Sequence, residues 1–498
     1  MEEADLFIIG GGVNGCGIAA DAAGRGLKVV LAEMADLASG TSSASSKLIH
    51  GGLRYLEHWE FRLVREALAE REVLLAKAPH IIWPLRFVLP NAPGSRHPWI
   101  IRAGLVLYDN LARRKAISSS KAIDLSRDPA GSPLKPGLDR GFAYWDCWVD
   151  DARLVVLNAR AAADLGARIL TRSRVVSVEA DGAAWRASIE SGGRTSTVRA
   201  RAVVNAAGPW AGHMGGLIKA PDFGGGPHLR LIKGSHIVVP RIPGADDAYL
   251  LQAGDGRVVF VLPFEEAFSI IGTTDVPFSG DPARVAIDSG EEGYLLELAS
   301  RYFRQPLAVQ DIVWRYSGVR PLYDDRSDNP SAVTRDYHLE LAASDRSPPL
   351  LTVLGGKVTT YRRLAEEALE RLAPHLPEMG PAWTATAPLP GGDMPNADFE
   401  RFLAAEARRR PAFDLAVLRR LARRHGTALP VLLGNAGSLA DLGADIGYGL
   451  TEREVAYMGE REWARTAEDV LWRRTKVGLH LDEASRERAA RAIERVLG

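Results

Sequence analysis

Six residues near the start, Gly10-Gly11-Gly12-Val13-Asn14-Gly15, have the G-x-G-x-x-G spacing. In that spacing Gly10 permits a tight turn, Gly12 lets backbone approach a pyrophosphate, and Gly15 lets a helix pack close against a strand. The following helix would offer its free N–H groups and the positive end of its dipole to the anion. Glu33, 18 residues beyond Gly15, is placed to accept hydrogen bonds from ribose hydroxyls. The bland alternative is a glycine-rich packing turn, and the motif alone does not separate FAD from NAD. A second group begins six residues after the acid, where Ser39-Gly40-Thr41-Ser42-Ser43-Ala44-Ser45-Ser46-Lys47 leads to His50-Gly51-Gly52-Leu53-Arg54-Tyr55. Such a run is by default a solvated loop. Its hydroxyls and amides could instead line a flavin, with His50 near the ring; His50 reads equally well as a core histidine.

Three further groups could do chemistry. Asn205-Ala206-Ala207-Gly208-Pro209-Trp210 follows an apolar run, and its small residues allow close approach of a cofactor. Gly355-Gly356-Lys357-Val358-Thr359-Thr360-Tyr361 is another strand-to-helix turn, with free amides and a cation suited to a phosphate or the edge of a flavin. His236, Arg320 and Arg335 are scattered, and each alone reads as structural. Gathered on one face they would form a phosphate-binding and proton-accepting pocket.

The elements that position these residues are legible in outline. Leu6 to Ile9, the glycine turn, an alanine-rich helix and Val29 to Leu31 read as one βαβ unit. Arg168 to Leu170, Arg174 to Val178 and Ala202 to Val204 read as strands returning to that sheet. Residues 60–78 have helical spacing, and residues 90–140 look irregular around one apolar stretch. Residues 227–275 and 310–340 alternate as an antiparallel sheet does. Leu350 to Leu354 is a further apolar strand. Beyond Leu389-Pro390-Gly391-Gly392 the chain turns rich in Ala, Arg, Leu and Glu, with Phe399, Phe402, Leu415, Leu418 and Leu421 at helical intervals. The expected fold is α/β: a Rossmann-like dinucleotide-binding domain (1–75, 150–225 and 341–387), an antiparallel-sheet substrate domain (76–149 and 226–340) and a C-terminal all-helical domain (388–498).

Composition narrows the function classes. At 498 residues the chain needs two or three domains. Lysine plus arginine equals aspartate plus glutamate at 62 each, which disfavours a general nucleic-acid binder. Cys16 and Cys147 are the only cysteines, too few and too far apart for a zinc site or an iron–sulfur cluster, so no metal is expected. The acidic N-terminus does not read as a signal peptide. No stretch approaches 18 apolar residues, so membrane contact would be peripheral. Arg96 to Lys115 has the make-up of an interfacial helix. Trp99, Ile100, Leu105, Leu107, Tyr108 and Leu111 form its apolar side, and Arg96, Arg102, Arg113, Arg114 and Lys115 would meet anionic lipid. The competing reading packs this helix inside the substrate domain.

The runs Thr41 to Tyr55, Asp146 to Leu154, Arg230 to Pro240, Ile271 to Asp275 and Tyr316 to Pro321 closely resemble the respiratory, FAD-dependent glycerol-3-phosphate dehydrogenases, and the likeness spans the chain. The resemblance implies a fold related to D-amino-acid oxidases. FAD would be held by Gly10, Gly12, Gly15, Glu33, Ser42, Ser45, Ser46, Lys47, His50, Val175, Gly208, Gly356 and Thr359. Substrate glycerol 3-phosphate would be touched by Arg54, Tyr55, His236, Arg320, Arg335 and Lys357. Electrons would pass to a membrane quinone from a cytoplasmic enzyme held on the inner face of the cell membrane, and a homodimer is left open. The chemistry agrees. Oxidising a secondary alcohol needs a base, for which His236 is first choice, and Arg320 would hold the oxygen as it becomes carbonyl-like. Arg54, Lys357 and Arg335 supply cations for a phosphate. Rival readings are a soluble, oxygen-using glycerol-3-phosphate oxidase and an amino-acid or 2-hydroxy-acid oxidase on the same fold.

Overall fold

Successive residues of the first strand, Glu2–Ile9, enter two different cores. Leu6 and Ile8 pack with the helices Val13–Gly24, Asp151–Asp164 and Tyr361–Leu372, while Phe7 and Ile9 pack with Val175 and Trp185 on the other side. Val29 to Ala32 alternates in the same way. A strand buried on both faces must be apolar throughout, which is why these runs are unbroken. The structure, a computed structural model, describes residues 1–94, 96–220, 229–254, 256–323 and 336–498, the His58 side chain excepted.

Five strands run parallel in the first sheet, in the order Arg168–Leu170, Val29–Ala32, Glu2–Ile9, Arg194–Asn205 and Ser347–Leu354. The first half of Arg194–Asn205 also pairs antiparallel with Ala184–Ser191, which pairs with Arg174–Asp181. Each parallel strand ends where a loop of the site begins. This is the place where α/β sheets bind ligands.

The second sheet is largely antiparallel and centred on Leu229–Pro240, which pairs with Trp314–Tyr323 and Phe268–Gly272. Ile237 and Val239 face the helix Ser289–Tyr302, while Val238 faces the helices Phe61–Lys77 and Pro98–Asn110. The stretch 90–140, expected to be irregular around one apolar stretch, holds a helix there, Pro98–Asn110, within the segment Arg96 to Lys115 read as helical, and also the start of the strand Arg140–Val149. Leu48–Ile49, read as part of the first domain, pairs with Arg140–Val149 in the second sheet. His338–Ser344, at the expected boundary, pairs in the first.

Beyond residue 390 five helices, Phe399–Arg409, Leu415–His425, Leu429–Leu433, Glu452–Arg461 and Glu483–Leu497, gather two small cores. A two-stranded ribbon, Asp445–Gly447 with Leu450–Thr451, interrupts the expected all-helical pattern. Leu415 opens its helix exposed, whereas Leu418 and Leu421 enter the core.

Candidate active site

The glycine turn joins the strand Glu2–Ile9 to the helix Val13–Gly24. Gly10 has φ +110°, and a Cβ there would lie 2.5 Å from the Ala206 carbonyl oxygen. A Cβ on Gly15 would collide with the Gly10 carbonyl oxygen. Both positions therefore require glycine. The Gly11 and Ala35 amides donate to the two carboxylate oxygens of Glu33 at 2.7 and 2.8 Å, and burial raises this carboxyl above its usual range. Val13, in the first turn of the helix, donates its amide to Ser42 Oγ at 3.0 Å.

Around this turn lies a cavity of about 580 Å³. Its wall runs from Gly10–Asn14 and Glu33 through Ser39–Ser42 and Ala44–Ser46 to His50, Arg54 and Tyr55. Arg174–Val176, Gly208–Trp210, Arg320 and Gly355–Thr359 complete it. The strand ends thus bring Val175, Gly208, Gly356 and Thr359, which are far apart in sequence, to one space. A helix N-terminus, an acid beside it and a cavity of this size fit an FAD.

At the far end the wall is cationic. Lys357 Nζ is buried without a hydrogen-bond partner among the described residues and sits 3.8 Å from the centroid of the Tyr55 ring. Arg54 lines the same space and forms no ion pair among the described residues. His50 donates its amide to Thr359 Oγ1 at 3.2 Å and meets Phe260 edge to face. Burial, then the Lys357 and Arg71 charges, push the His50 imidazole down to about 4. Arg320 is held by Asp275, and its Nη2 donates to Thr273 Oγ1 at 3.3 Å.

Two expectations need correction and one falls elsewhere. His236, expected to touch substrate, does not line the cavity: it is 1% exposed, stacked on Tyr316 with ring centroids 4.7 Å apart. Its Nε2 lies 2.8 Å from Ser46 Oγ, which does line the cavity, so His236 stands one layer back, behind a hydroxyl. The cause is strand register, which sets His236 opposite Tyr316 and Gly272 inside the sheet. Burial, then the Arg320 and Lys47 charges, hold this imidazole well below its usual value and hence neutral. Lys47, expected to contact the cofactor, turns its ammonium into the protein, onto Asp151 Oδ1 at 2.8 Å and the Ser43 carbonyl at 3.1 Å. Arg335 lies outside the described residues.

Sequence reasoning gave no role to several residues that shape this wall. Asp151 accepts from Ser45 Oγ at 2.7 Å as well as from Lys47, pinning the serine loop to the start of the helix Asp151–Asp164. Tyr316 donates its hydroxyl to the Ser45 carbonyl at 3.1 Å. Buried Asp146 accepts from Arg71 and from the Tyr108 hydroxyl, and that hydroxyl accepts the Gly51 amide at 2.8 Å. Asp146, Asp151, Asp275 and Tyr316 all lay within the runs that carried the family resemblance, and that was the available signal.

Residues 5–362 match the profile of the family described as FAD dependent oxidoreductase, and residues 382–497 match the C-terminal domain of alpha-glycerophosphate oxidase. The chain belongs to the FAD-dependent oxidoreductases. It is 52% identical to a glycerol-3-phosphate dehydrogenase of Pseudomonas aeruginosa over 98% of this chain and 95% of that protein. It is 51% identical to the aerobic glycerol-3-phosphate dehydrogenase of Escherichia coli (98% and 97%) and 50% identical to a D-erythritol 1-phosphate dehydrogenase of Brucella abortus (97% and 96%). Among solved structures, a Bacillus halodurans glycerol-3-phosphate dehydrogenase complexed with FAD aligns with TM-score 0.75 and 28% identity, covering 99% of this chain and 94% of its own. This flavoprotein therefore has the D-amino-acid-oxidase-like fold with an added C-terminal domain, and its cofactor is FAD.

Proposed function

We propose that the protein oxidises sn-glycerol 3-phosphate to dihydroxyacetone phosphate and passes the electrons to a membrane quinone. The observation that carries this reading is the Lys357 ammonium, buried with no anionic partner among the described residues, beside the cavity that Arg54 also faces. An uncompensated buried charge is costly, and a phosphate dianion beside it removes that cost. Lys357, Arg54 and, from the sequence alone, Arg335 bind the phosphate, with Tyr55 beneath Lys357. Gly10, Gly12, Gly15, Glu33, Ser42, Ser45, His50, Val175, Gly208, Gly356 and Thr359 hold FAD. When bound, FAD supplies the two-electron acceptor for the carbinol hydride. Arg320, braced by Asp275 and Thr273, orients the reacting oxygen. Ser46 Oγ accepts the hydroxyl proton while donating its own to His236 Nε2, so His236 serves as the base through a hydroxyl.

The enzyme works peripherally on the inner face of the cell membrane. Among the described residues no helix is long and apolar enough to cross a membrane, while Trp59, Trp99 and Ile100 stand 79%, 65% and 46% exposed. The D-erythritol 1-phosphate dehydrogenase, as similar as the glycerol-3-phosphate enzymes, makes a four-carbon polyol phosphate the second substrate to assay. Anaerobic mixing with glycerol 3-phosphate, D-erythritol 1-phosphate or glycerol tests the reading. Glycerol 3-phosphate should bleach the flavin absorbance fastest and glycerol barely at all. Reoxidation by a short-chain quinone should outrun that by oxygen. Comparable bleaching by glycerol sinks the phosphate site, and faster reoxidation by oxygen makes the protein an oxidase.

A further inference from the structure

Two loops at one end of the cavity are gripped from behind by the C-terminal domain. The first, residues 33–39, carries Glu33, Met34 and Ala38 to the cavity wall. The second, residues 171–175, carries Ser173 to Val175 there. The Arg172 amide donates to the Ala35 carbonyl at 2.8 Å, and the Ala38 amide to the Gly11 carbonyl at 3.1 Å, so backbone hydrogen bonds tie the two loops to each other and to the glycine turn.

Asp36, at the centre of the first loop, is 2% exposed and outside the cavity lining. Its Oδ1 accepts from Arg474 Nη2, and its Oδ2 from Arg474 Nη1 and Arg473 Nε, each at 2.7 Å. Arg474 is wholly buried and also donates to the Glu462 carbonyl from Nε and Nη2, at 3.0 and 2.6 Å. On the second loop, Arg172 Nη2 donates to Asp469 Oδ2 at 2.6 Å, and Arg473 Nη2 donates to Asp469 Oδ1 at 2.6 Å. One turn of the C-terminal domain, Asp469–Arg474, thus clasps both loops through two carboxylates and three guanidinium groups. Burial raises the Asp469 carboxyl, yet the Arg465 amide and the Arg473 and Arg172 charges hold it down to about 2.

Joining two domains needs only apolar contact. Buried ion pairs add little net stability, but they tolerate only one arrangement. Here that arrangement fixes the backbone on which Glu33 and Val175 stand. We propose that the C-terminal domain is a working part of the cofactor site: the clasp of Arg473 and Arg474 on Asp36, and of Asp469 on Arg172, holds the loops in their FAD-binding form and sets how tightly FAD is retained. Asp36, Arg473 and Arg474 are positioning residues; none lines the cavity.

The test uses the full-length, FAD-loaded protein. FAD affinity is read from the fluorescence of released flavin on dilution, and thermal unfolding of the apo- and FAD-loaded forms is followed separately. Arg474→Met should raise the FAD dissociation constant on the order of tenfold or more, since it strips a buried carboxylate of two charged hydrogen bonds. If that variant does not fold, Arg473→Gln decides, because it removes one bond to Asp36 and one to Asp469 from a partly exposed side chain and should still raise the constant severalfold. The control is Arg424→Met, which breaks the buried Arg424–Glu454 pair inside the C-terminal domain and touches neither loop. It should lower the unfolding temperature of apo- and FAD-loaded forms alike and leave FAD affinity in place. Folded clasp variants with unchanged FAD affinity overturn the proposal, as does a control that weakens FAD as much as they do.

Discussion

An ammonium group buried with no anion beside it among the described residues is a statement about what the cavity is for, and Lys357 makes it. Lys357→Met should raise KM for glycerol 3-phosphate by tenfold to a hundredfold, on the order of 1.5–3 kcal/mol for one charged hydrogen bond. Steady-state kinetics should show kcat falling far less, since FAD contacts are left alone. Ser46 and His236 should behave as a unit. Each single alanine variant should lower kcat by on the order of 10²–10⁴-fold, and the double variant should be little worse than either. Additive losses would separate the hydroxyl from the imidazole. The residues readable from sequence were those whose identity alone carries the meaning: the glycines of the turn, the acid after the second strand, the cations near Gly52 and Gly355. His236 was misplaced by one layer because the register between Leu229–Pro240 and Trp314–Tyr323 decides where its ring points, and no local pattern encodes that register. Lys47 was misread because its partner, Asp151, lies 104 residues away in sequence.

The helix Pro98–Asn110 shows how much of an element composition can reveal and where it stops. Its exposed side holds Trp99, Ile100, Val106 and Leu107, while Leu105 and Tyr108, expected on the lipid side, face the core. Most of the cations expected to meet lipid are already engaged. Arg96 pairs with Glu57, Arg114 pairs with Asp109, and Arg102 bonds Ser120. Arg113 and the Lys115 side chain form no ion pair among the described residues. Trp99→Ser with Ile100→Ser should therefore abolish flotation with anionic liposomes, whereas Arg114→Glu should weaken it only slightly. The opposite ranking would make charge rather than apolar area the anchor. On the inner side, the Tyr108 hydroxyl links this helix to Gly51 and Asp146, next to His50. Tyr108→Phe leaves a buried amide and a carboxylate each one bond short, so stability should fall by about 1–3 kcal/mol. KM should rise as the segment carrying Arg54 shifts. Tyr249→Phe is the control, since its hydroxyl bonds the Ala130 carbonyl away from the cavity; it should cost stability alone.

At the scale of the molecule, three buried histidines, His50, His80 and His236, share one pH behaviour. Burial depresses each below the ordinary value of a free imidazole, His50 to about 4. Folded His50 binds fewer protons than the unfolded chain between pH ~6.5 and about 4, so its contribution to stability is complete above that window and is lost as pH falls through it; His80 and His236 act in the same direction. His50 contributes a slope of up to about 1.4 kcal/mol per pH unit in that window. Unfolding temperatures at pH 7.5, 6.5 and 5.5 should drop over the last interval, and His50→Gln should flatten the drop. The five-strand parallel order has a different consequence, set by synthesis. The glycine turn leaves the ribosome about 350 residues ahead of the Gly355–Thr359 turn that closes the same cavity. At 5–20 residues per second that is a wait of roughly 20–70 s. For the later part of it Val203 and Val204, once made, lack the strand Ser347–Leu354 that flanks them. FAD therefore meets a complete site only on a nearly finished chain. Slower, cooler expression and free chaperone capacity should raise the soluble yield more than added riboflavin does.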